Sequence, residues 1–377
     1  MNSARPELGI AVIGYSFMGK AHSNGWRNVG AFYPGGPTVA QRVIVGRDRE
    51  RVDAAARQYG WQESATDWRA VLDRADVDVV DICTPGHLHE EIALAALDAG
   101  KHVLLEKPLA NTLDEARKLA ASAAAARDRG VSSMVAFNYR RIPALALARR
   151  LTAEGVVGEV REVRAAYLQD WLADERAPMA WRLRQEQAGS GVLGDLGSHV
   201  VDLLRFTLGQ EVATVSGQLR TFVDSREGER GPEEVTVDDV AWARLGLSGG
   251  AIASLEVSRM AFGRKNGLTL EIYGSRGALS FGLERLNELW VDEGDGARRV
   301  LVTEPDHPYL DAWWPPGHVL GWDSTFTTQA AEFVHAIAEG REPSPSFEDG
   351  LRVQHVLDAI VRSSDLQQTV TLEGEPT

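Results

Sequence analysis

Between residues 8 and 137 short apolar runs alternate with polar, alanine-rich segments of helical character, and this alternation constrains the fold more than any other feature of the sequence. Leu8 to Ile13 is apolar and ends at Gly14, with helical material from about Met18. Val39 to Val45 ends at Gly46-Arg47-Asp48 and leads into a helix over Arg51 to Tyr59, stopped by Gly60. Val77 to Cys83 is apolar but for Asp78 and Asp81, and Thr84-Pro85-Gly86 stops it ahead of a helix over Glu90 to Ala99 that ends at Gly100. His102 to Leu105 and Val131 to Phe137 read as strands on either side of a helix over Leu113 to Ala126. Such a series predicts an α/β region: a doubly wound parallel sheet, covered by helices on both faces, with ligands at the carboxyl ends of its strands.

Beyond residue 140 the pattern changes. A helix near Pro143 to Ala153, a strand over Val160 to Leu168 and a helix from Asp195 to Leu208 precede a set of strand-like runs. These are Val212 to Thr221, Thr236 to Leu247, Ala251 to Ser258, Leu268 to Tyr273 and Ala278 to Phe281. Ser225 to Glu234 and Pro305 to Gly321 read as loops. Helices over Ser324 to Ala338 and Glu348 to Ser363 precede an extended Thr369 to Leu372. The expected second part is an α+β domain with a large open, mostly antiparallel sheet. A chain of 377 residues exceeds what one core normally supports, so two domains are expected, over residues 1–137 and 138–377.

The formal net charge of -14 opposes binding to nucleic acid or anionic lipid. Cys83 is the single cysteine, which excludes an internal disulfide and a cysteine-based zinc site. The N-terminal residues lack a secretory pattern and nowhere do about 18 apolar residues run together. A cytoplasmic protein is expected, with no membrane and no nucleic-acid partner.

Gly14-Tyr15-Ser16-Phe17-Met18-Gly19 has the spacing of a dinucleotide fingerprint and lies between the first strand and the first helix. There glycines permit a tight turn and close approach to a pyrophosphate held at the helix N-terminus. This makes the first domain a Rossmann domain for NAD(P). Ser16 stands in place of the middle glycine and offers a hydroxyl to a phosphate oxygen. At the end of the second strand the signals compete: Arg47 favours the 2′-phosphate of NADP, Asp48 the ribose hydroxyls of NAD, and a solvated turn is the plain alternative.

Two further groups carry chemistry. Glu106-Lys107-Pro108 follows a buried strand at the ligand edge of the sheet, where Lys107 can exchange protons and Glu106 can hold it. In Gly194-Asp195-Leu196-Gly197-Ser198-His199, Asp195 and His199 are four residues apart and share a helix face. Alcohol oxidation by nicotinamide needs a base for the hydroxyl proton, work that suits His199. A helix cap by Asp195 and a buried histidine are the structural alternative. Asp195 and His199 supply two metal ligands without a clear third, so no metal is expected. Trp171, Trp181 and Arg182 offer aromatic faces beside polar groups, suited to a sugar ring or equally to core packing.

Four motifs in order carry a resemblance across nearly the whole chain. They are Ala11-Val12-Ile13-Gly14 through Met18-Gly19 with His22, and Cys83-Thr84-Pro85 with His89. Gly100-Lys101-His102-Val103 through Glu106-Lys107-Pro108 follows, and then Gly194-Asp195 through His199-Val200-Val201-Asp202. In these the chain resembles the Gfo/Idh/MocA family, relatives of glucose-fructose oxidoreductase and inositol dehydrogenase. The resemblance implies that Lys107 and His199 form an acid/base pair and that Asp195 orients the substrate. It also implies that Thr84, Pro85, His89 and Glu106 join Phe17 and Met18 at the cofactor, and that Asn138, Tyr139 and Arg140 lie near the active cleft. The implied activity is NAD(P)-dependent oxidation or reduction of a sugar, glycoside or polyol by a homodimer or homotetramer. Ser16 and Gly46, the latter where an acidic residue is common, depart from the pattern. An NAD-retaining glycosidase and a non-catalytic NADP(H) sensor are the competing functions.

Overall fold

In the computed structural model, which describes residues 7–372, the chain divides into two compact units. One comprises residues up to Arg141 together with Gly321–Leu351, and the other comprises Ile142–Leu320 with the residues from Arg352 onward. The first unit is therefore discontinuous in sequence.

Its strands are β1 (Glu7–Ile13), β2 (Thr38–Val45), β3 (Glu63–Ala65), β4 (Val79–Ile82), β5 (His102–Leu105) and β6 (Ser133–Val135). They pair in the order β3-β2-β1-β4-β5-β6, all parallel. The order reverses direction between β1 and β4, which opens a crevice at the carboxyl edge there. Helices α1 (Phe17–Phe32), α2 (Arg49–Tyr59), α3 (Arg69–Leu72), α4 (His89–Asp98) and α5 (Leu113–Arg127) make the crossovers. Local sequence sets their ends: Asp48 caps α2 by accepting the Arg51 amide and Gly60 closes it at φ 82°, while Thr112 and Glu115 form a capping box on α5.

The apolar runs become the core. Ile10, Val12, Ile44, Val79, Leu104 and Met134 from the sheet pack with Trp26 and Val29 of α1. Residues of the returning segment, Phe333 and Val334, complete this cluster, and each such side chain contributes roughly 1.5–3 kcal/mol relative to exposure. The two polar interruptions of the β4 run both have partners: Asp78 accepts the Gly9 amide at 2.8 Å, and Asp81 is engaged from α1.

The second unit begins with α6 (Pro143–Ala153), β7 (Val160–Leu168), α7 (Gln185–Ala188) and α8 (Ser198–Leu208). Then come β8 (Val212–Arg220), β9 (Ser225–Gly228), β10 (Gly231–Glu234), β11 (Val240–Leu247), β12 (Ile252–Ser258), β13 (Gly267–Gly274), β14 (Ala278–Gly282), β15 (Glu288–Asp292) and β16 (Arg298–Leu301). In the returning part of the chain lie α9 (Ser324–Glu339), α10 (Phe347–Leu366) and β17 (Val370–Thr371). The described residues of the large sheet run β16-β15-β14-β13-β7-β12-β11-β8-β17, with β7 and β12 parallel and the other pairs antiparallel. Burial alternates along its strands, as it must for a sheet with one covered face. Val163, Ala165, Leu245 and Leu255 are buried, whereas Arg164, Trp242, Arg244 and Ile252 point the other way.

Three features differ from expectation. Residues 225–234 are not a loop but the β9–β10 hairpin, turned through Gly231 at φ 114° and anchored by the buried Arg226. The short strands β3, β15 and β16, at or next to a sheet edge, have no long apolar run in the sequence because they are few-residued and flanked by charge. The helix expected from Asp195 starts at Ser198, and Leu193–Gly197 before it wind in a wide π-type turn.

At Gly19 a Cβ would lie 1.9 Å from the Gly14 carbonyl oxygen. Gly19→Ala must push α1 off the β1 turn, and we expect a loss of about 1–3 kcal/mol. Urea unfolding of the variant checks this, and an unchanged midpoint contradicts it.

Candidate active site

The first unit presents a dinucleotide cradle. Gly14 takes φ 111°, a region that favours glycine, and its amide bonds the Val45 carbonyl at 2.9 Å. A Cβ there would stand 2.6 Å from the Cys83 carbonyl oxygen. Ser16 is exposed at the N-cap of α1 and its side chain makes no capping bond. With no acidic residue in the first turn, the helix N-terminus retains its affinity for a phosphate. These residues fit a pyrophosphate. Phe17, 64% exposed, stacks parallel on Trp322 at 5.7 Å between ring centroids, and Met18 is half-buried beside it.

At the end of β2 the departure at Gly46 has a steric cause: a Cβ there would lie 2.1 Å from the Tyr15 ring. Arg47 is exposed, and Asp48, also exposed, spends one carboxylate oxygen on the Arg51 amide at 3.1 Å.

A buried polar chain lies between β4 and β5. The Trp26 indole donates to Asp81 at 2.7 Å, the His22 ring lies 2.9 Å from Asp81 on one side and 2.9 Å from Glu106 on the other, and Glu106 accepts the Lys107 amide at 3.0 Å. Burial works against a proton on His22, but the Asp81 carboxylate, with the Cys83 thiol beside it, prevails and raises the imidazole well above its ordinary range. Burial and the Asp81 charge push the Cys83 thiol up, against the pull of His22, so it stays protonated. The His22, Asp81 and Cys83 ligand atoms lie within 4.8 Å of one another, yet both ring nitrogens of His22 already face carboxylates.

Other expected cofactor and substrate residues also make contacts within the chain. His89 is buried with its ring nitrogens 3.0 Å from the Thr84 and Pro108 carbonyls. Burial, opposed by those carbonyls, lowers its pKa. Glu106 likewise turns its carboxylate inward. Asn138 donates to Thr325 at 2.8 Å and Arg140 to Ser344 at 3.1 Å, both side chains buried. Their polar groups hold the returning segment to the end of β6. Thr84 and Pro85 follow β4 at the carboxyl edge, half-buried, and Lys107 is half-buried at the end of β5.

In the second unit Asp195 and His199 share the wide turn and the start of α8, with His199 buried and its ring edge-on to Tyr167 at 6.1 Å. The turn is fastened by Asp238, whose carboxylate accepts the Gly191 and Leu193 amides, each at 2.7 Å. Burial raises Asp238, and burial lowers the Arg259 guanidinium against the pull of Asp195, Asp238 and Asp239. Arg259 donates to the Asp238 carbonyl at 2.7 Å and lies 5.5 Å from the Trp171 ring. Trp181 carries the Arg182 guanidinium over its face at 4.4 Å. The loop bearing Trp171 is held by Arg226, which donates to the carbonyls of Leu172 and Asp174, each at 2.8 Å. Asp81, Trp26, Asp238 and Arg259 are the residues that motif reading missed. Asp81 alone had a signal, a charge within an apolar run.

A parallel sheet in this strand order, with a glycine cradle at its switch point, defines a dinucleotide-binding domain. Comparison with known proteins takes this further. Residues 8–137 match the oxidoreductase family with an NAD-binding Rossmann fold, and residues 145–280 match the GFO/IDH/MocA C-terminal domain. The chain belongs to the Gfo/Idh/MocA family of oxidoreductases. It is 41% identical to levoglucosan dehydrogenase from Pseudarthrobacter phenanthrenivorans, over 95% of this chain and 96% of that protein. A crystal structure of an oxidoreductase domain protein from Kribbella flavida superposes with a TM-score of 0.95 at 52% identity, covering 98% of this chain and all of that one, 100%. Levoglucosan dehydrogenase in complex with NADH superposes at 0.94 with 40% identity, covering 97% and 99%. No helix among the described residues is long and apolar enough to cross a membrane.

Because the folded-state pKa of His22 lies above its ordinary value of about 6.5, its protonated bridge stabilises the fold fully below that value. The contribution is lost as pH rises through the raised one. We expect the difference in melting temperature between the natural chain and His22→Gln to be largest near pH 6 and to narrow toward alkaline pH. A difference that stays constant or widens contradicts the charged bridge.

Proposed function

We propose that this protein oxidises a secondary alcohol of a sugar, anhydrosugar, glycoside or polyol, reversibly, with NAD(P). The observation that carries the reading is the likeness to levoglucosan dehydrogenase over 95% of the chain, supported by Lys107, Asp195 and His199 in its sequence motifs. The bound nicotinamide supplies the hydride acceptor. Lys107 takes the hydroxyl proton, His199 supports the transfer as its acid/base partner, and Asp195 accepts a hydrogen bond from a substrate hydroxyl and so orients the ring. Trp171, Trp181 and Arg182 contribute the apolar and polar faces that a sugar presents to a pocket. NAD is the favoured cofactor, supported by NADH in the levoglucosan dehydrogenase complex and by Asp48 at the end of β2. The exposed Arg47 supports NADP as the second reading. The glycosidase and sensor readings find no counterpart in these relatives. A reducing compartment such as the cytoplasm suits a chain whose lone cysteine is free.

Formation of NADH or NADPH across monosaccharides, glycosides, anhydrosugars and inositols tests the activity and the cofactor together. Lys107→Ala is expected to lower kcat by about 10²–10⁴-fold, with dinucleotide affinity little changed. Full turnover by that variant would falsify the assignment.

The uncovered face of the large sheet is proposed as the contact between two copies of the chain, in a homodimer or a tetramer built from it. Trp242 and Trp290, each 40% exposed, and Ile252, 54% exposed, stand on this face among charged neighbours such as Arg164 and Arg244. A contact there buries large apolar groups that water otherwise meets. Light scattering after size exclusion is expected to show an oligomer for the natural chain and a monomer for Trp242→Glu combined with Ile252→Glu. A monomeric natural chain rules the contact out.

A further inference from the structure

Lys107 is held by a line of buried polar contacts that begins on α1. From Trp26 it passes to Asp81, from Asp81 to His22, from His22 to Glu106 and from Glu106 to the Lys107 backbone amide. Trp26, His22, Asp81 and Glu106 are all buried, none more than 5% exposed, so the first three are placed to act through others rather than on a sugar. The ring of His22 is faced by Asp81 of β4, by Cys83 just after it, by Glu106 at the end of β5 and by Phe326 of α9, whose ring centroid is 5.3 Å away. Ionised carboxylates only accept hydrogen bonds, so a ring placed between two of them must donate from both nitrogens. A side chain that donates from one end alone leaves one carboxylate without its partner in the interior.

We propose that His22 is a positioning residue for the dehydrogenase reaction, clamping Glu106 between itself and the Lys107 amide so that the Lys107 side chain starts from a fixed backbone. This rests on the reading of Lys107 as the proton-transfer group. Fixing the root of a long flexible side chain matters because a displacement near 1 Å is enough to cost about a hundredfold in rate. Glu106 cannot supply that fixity alone, since a carboxylate on its own rotates about its last bond. With one oxygen on His22 and the other on the amide, both lone-pair edges are used and the plane is set.

The test uses the full-length chain with the best substrate from the panel. His22→Gln can donate to one carboxylate but turns its amide oxygen toward the other. Asp81→Asn keeps an acceptor for Trp26 and removes the charge that His22 faces. Each is expected to reduce kcat about ten- to hundredfold, with the KM for substrate and the Kd for NADH within about threefold of the natural chain. The double variant is expected to be no worse than the poorer single one, because both act through one bridge. Unchanged kcat in His22→Gln overturns the proposal. So do additive losses in which NADH affinity falls together with rate, the signature of general loosening. If His22→Gln fails to fold, Asp81→Asn decides by the same split between kcat and KM. A natural chain inert on every substrate removes the dehydrogenase reading and this role with it. An active natural chain beside a fully active His22→Gln removes the role of His22 alone.

Discussion

A carboxylate in the middle of a fully buried parallel strand is the constraint around which the first unit is arranged. Asp81 has no exposure to water, and removing one partner from a buried charge of this kind typically costs about 3–5 kcal/mol. Its partners therefore have to arrive from outside the sheet. Beside the Cys83 thiol at the end of the same strand, two come from α1: His22 and Trp26 are four residues apart, so one helix face delivers the imidazole and the indole to the same side chain. The helix that opens at the phosphate cradle is in this way locked in rotation by the strand it covers. On another side of α1, Gly25 leaves room for the α9 backbone, since a Cβ there would be 2.9 Å from the Phe326 carbonyl group.

The second unit solves a related problem with different parts. The wide turn carrying Asp195 leaves amides that an ordinary helix start would leave to water, and Asp238 takes two of them. Asp238 is in turn paid for by Arg259, which lies beneath Trp171 and within electrostatic reach of Asp195. A buried acid that accepts backbone amides thus fixes the segment bearing the proposed substrate residues in each unit: Glu106 for Lys107, and Asp238 for Asp195 and His199.

Much of this was legible before the structure. Five of the six parallel strands follow apolar runs, because both faces of such a sheet are covered, while β3 does not; the fingerprint could be read from the glycines at 14 and 19 because close backbone approach demands them. The limits were equally physical. Asn138, Arg140 and His89 carry polar groups that suit a binding site, but sequence does not show which distant partners they also hold, such as Thr325, 187 positions from Asn138. The β9–β10 hairpin is charged on most of its positions and draws its order from Arg226 reaching into another loop, so no apolar period announced it. The discontinuity of the first unit was hidden for the same reason, since α9 shows only that it has an apolar face and not which sheet or helix receives it.

Local rules are broken at a few places, and those places coincide with the proposed chemistry. Asp81 interrupts an apolar strand, Ser16 replaces a glycine, Gly46 replaces an acid and Leu193–Gly197 abandon the α-helical pitch. Each violation has a compensation: imidazole and indole for Asp81, an open helix N-terminus for Ser16, the Tyr15 ring over Gly46, and Asp238 for the wide turn. A fold pays nothing for such exceptions on an idle surface, where substitution is free to erase them, so their grouping around the carboxyl edge of one sheet and the start of one helix is itself an argument for where the protein works. At Gly46 the argument also bears on the cofactor. With the Tyr15 ring filling the space of a side chain there, the charged groups left for the proposed discrimination between NAD and NADP are Arg47 and Asp48, one and two positions along a solvent-exposed turn, where substitution does not disturb the sheet.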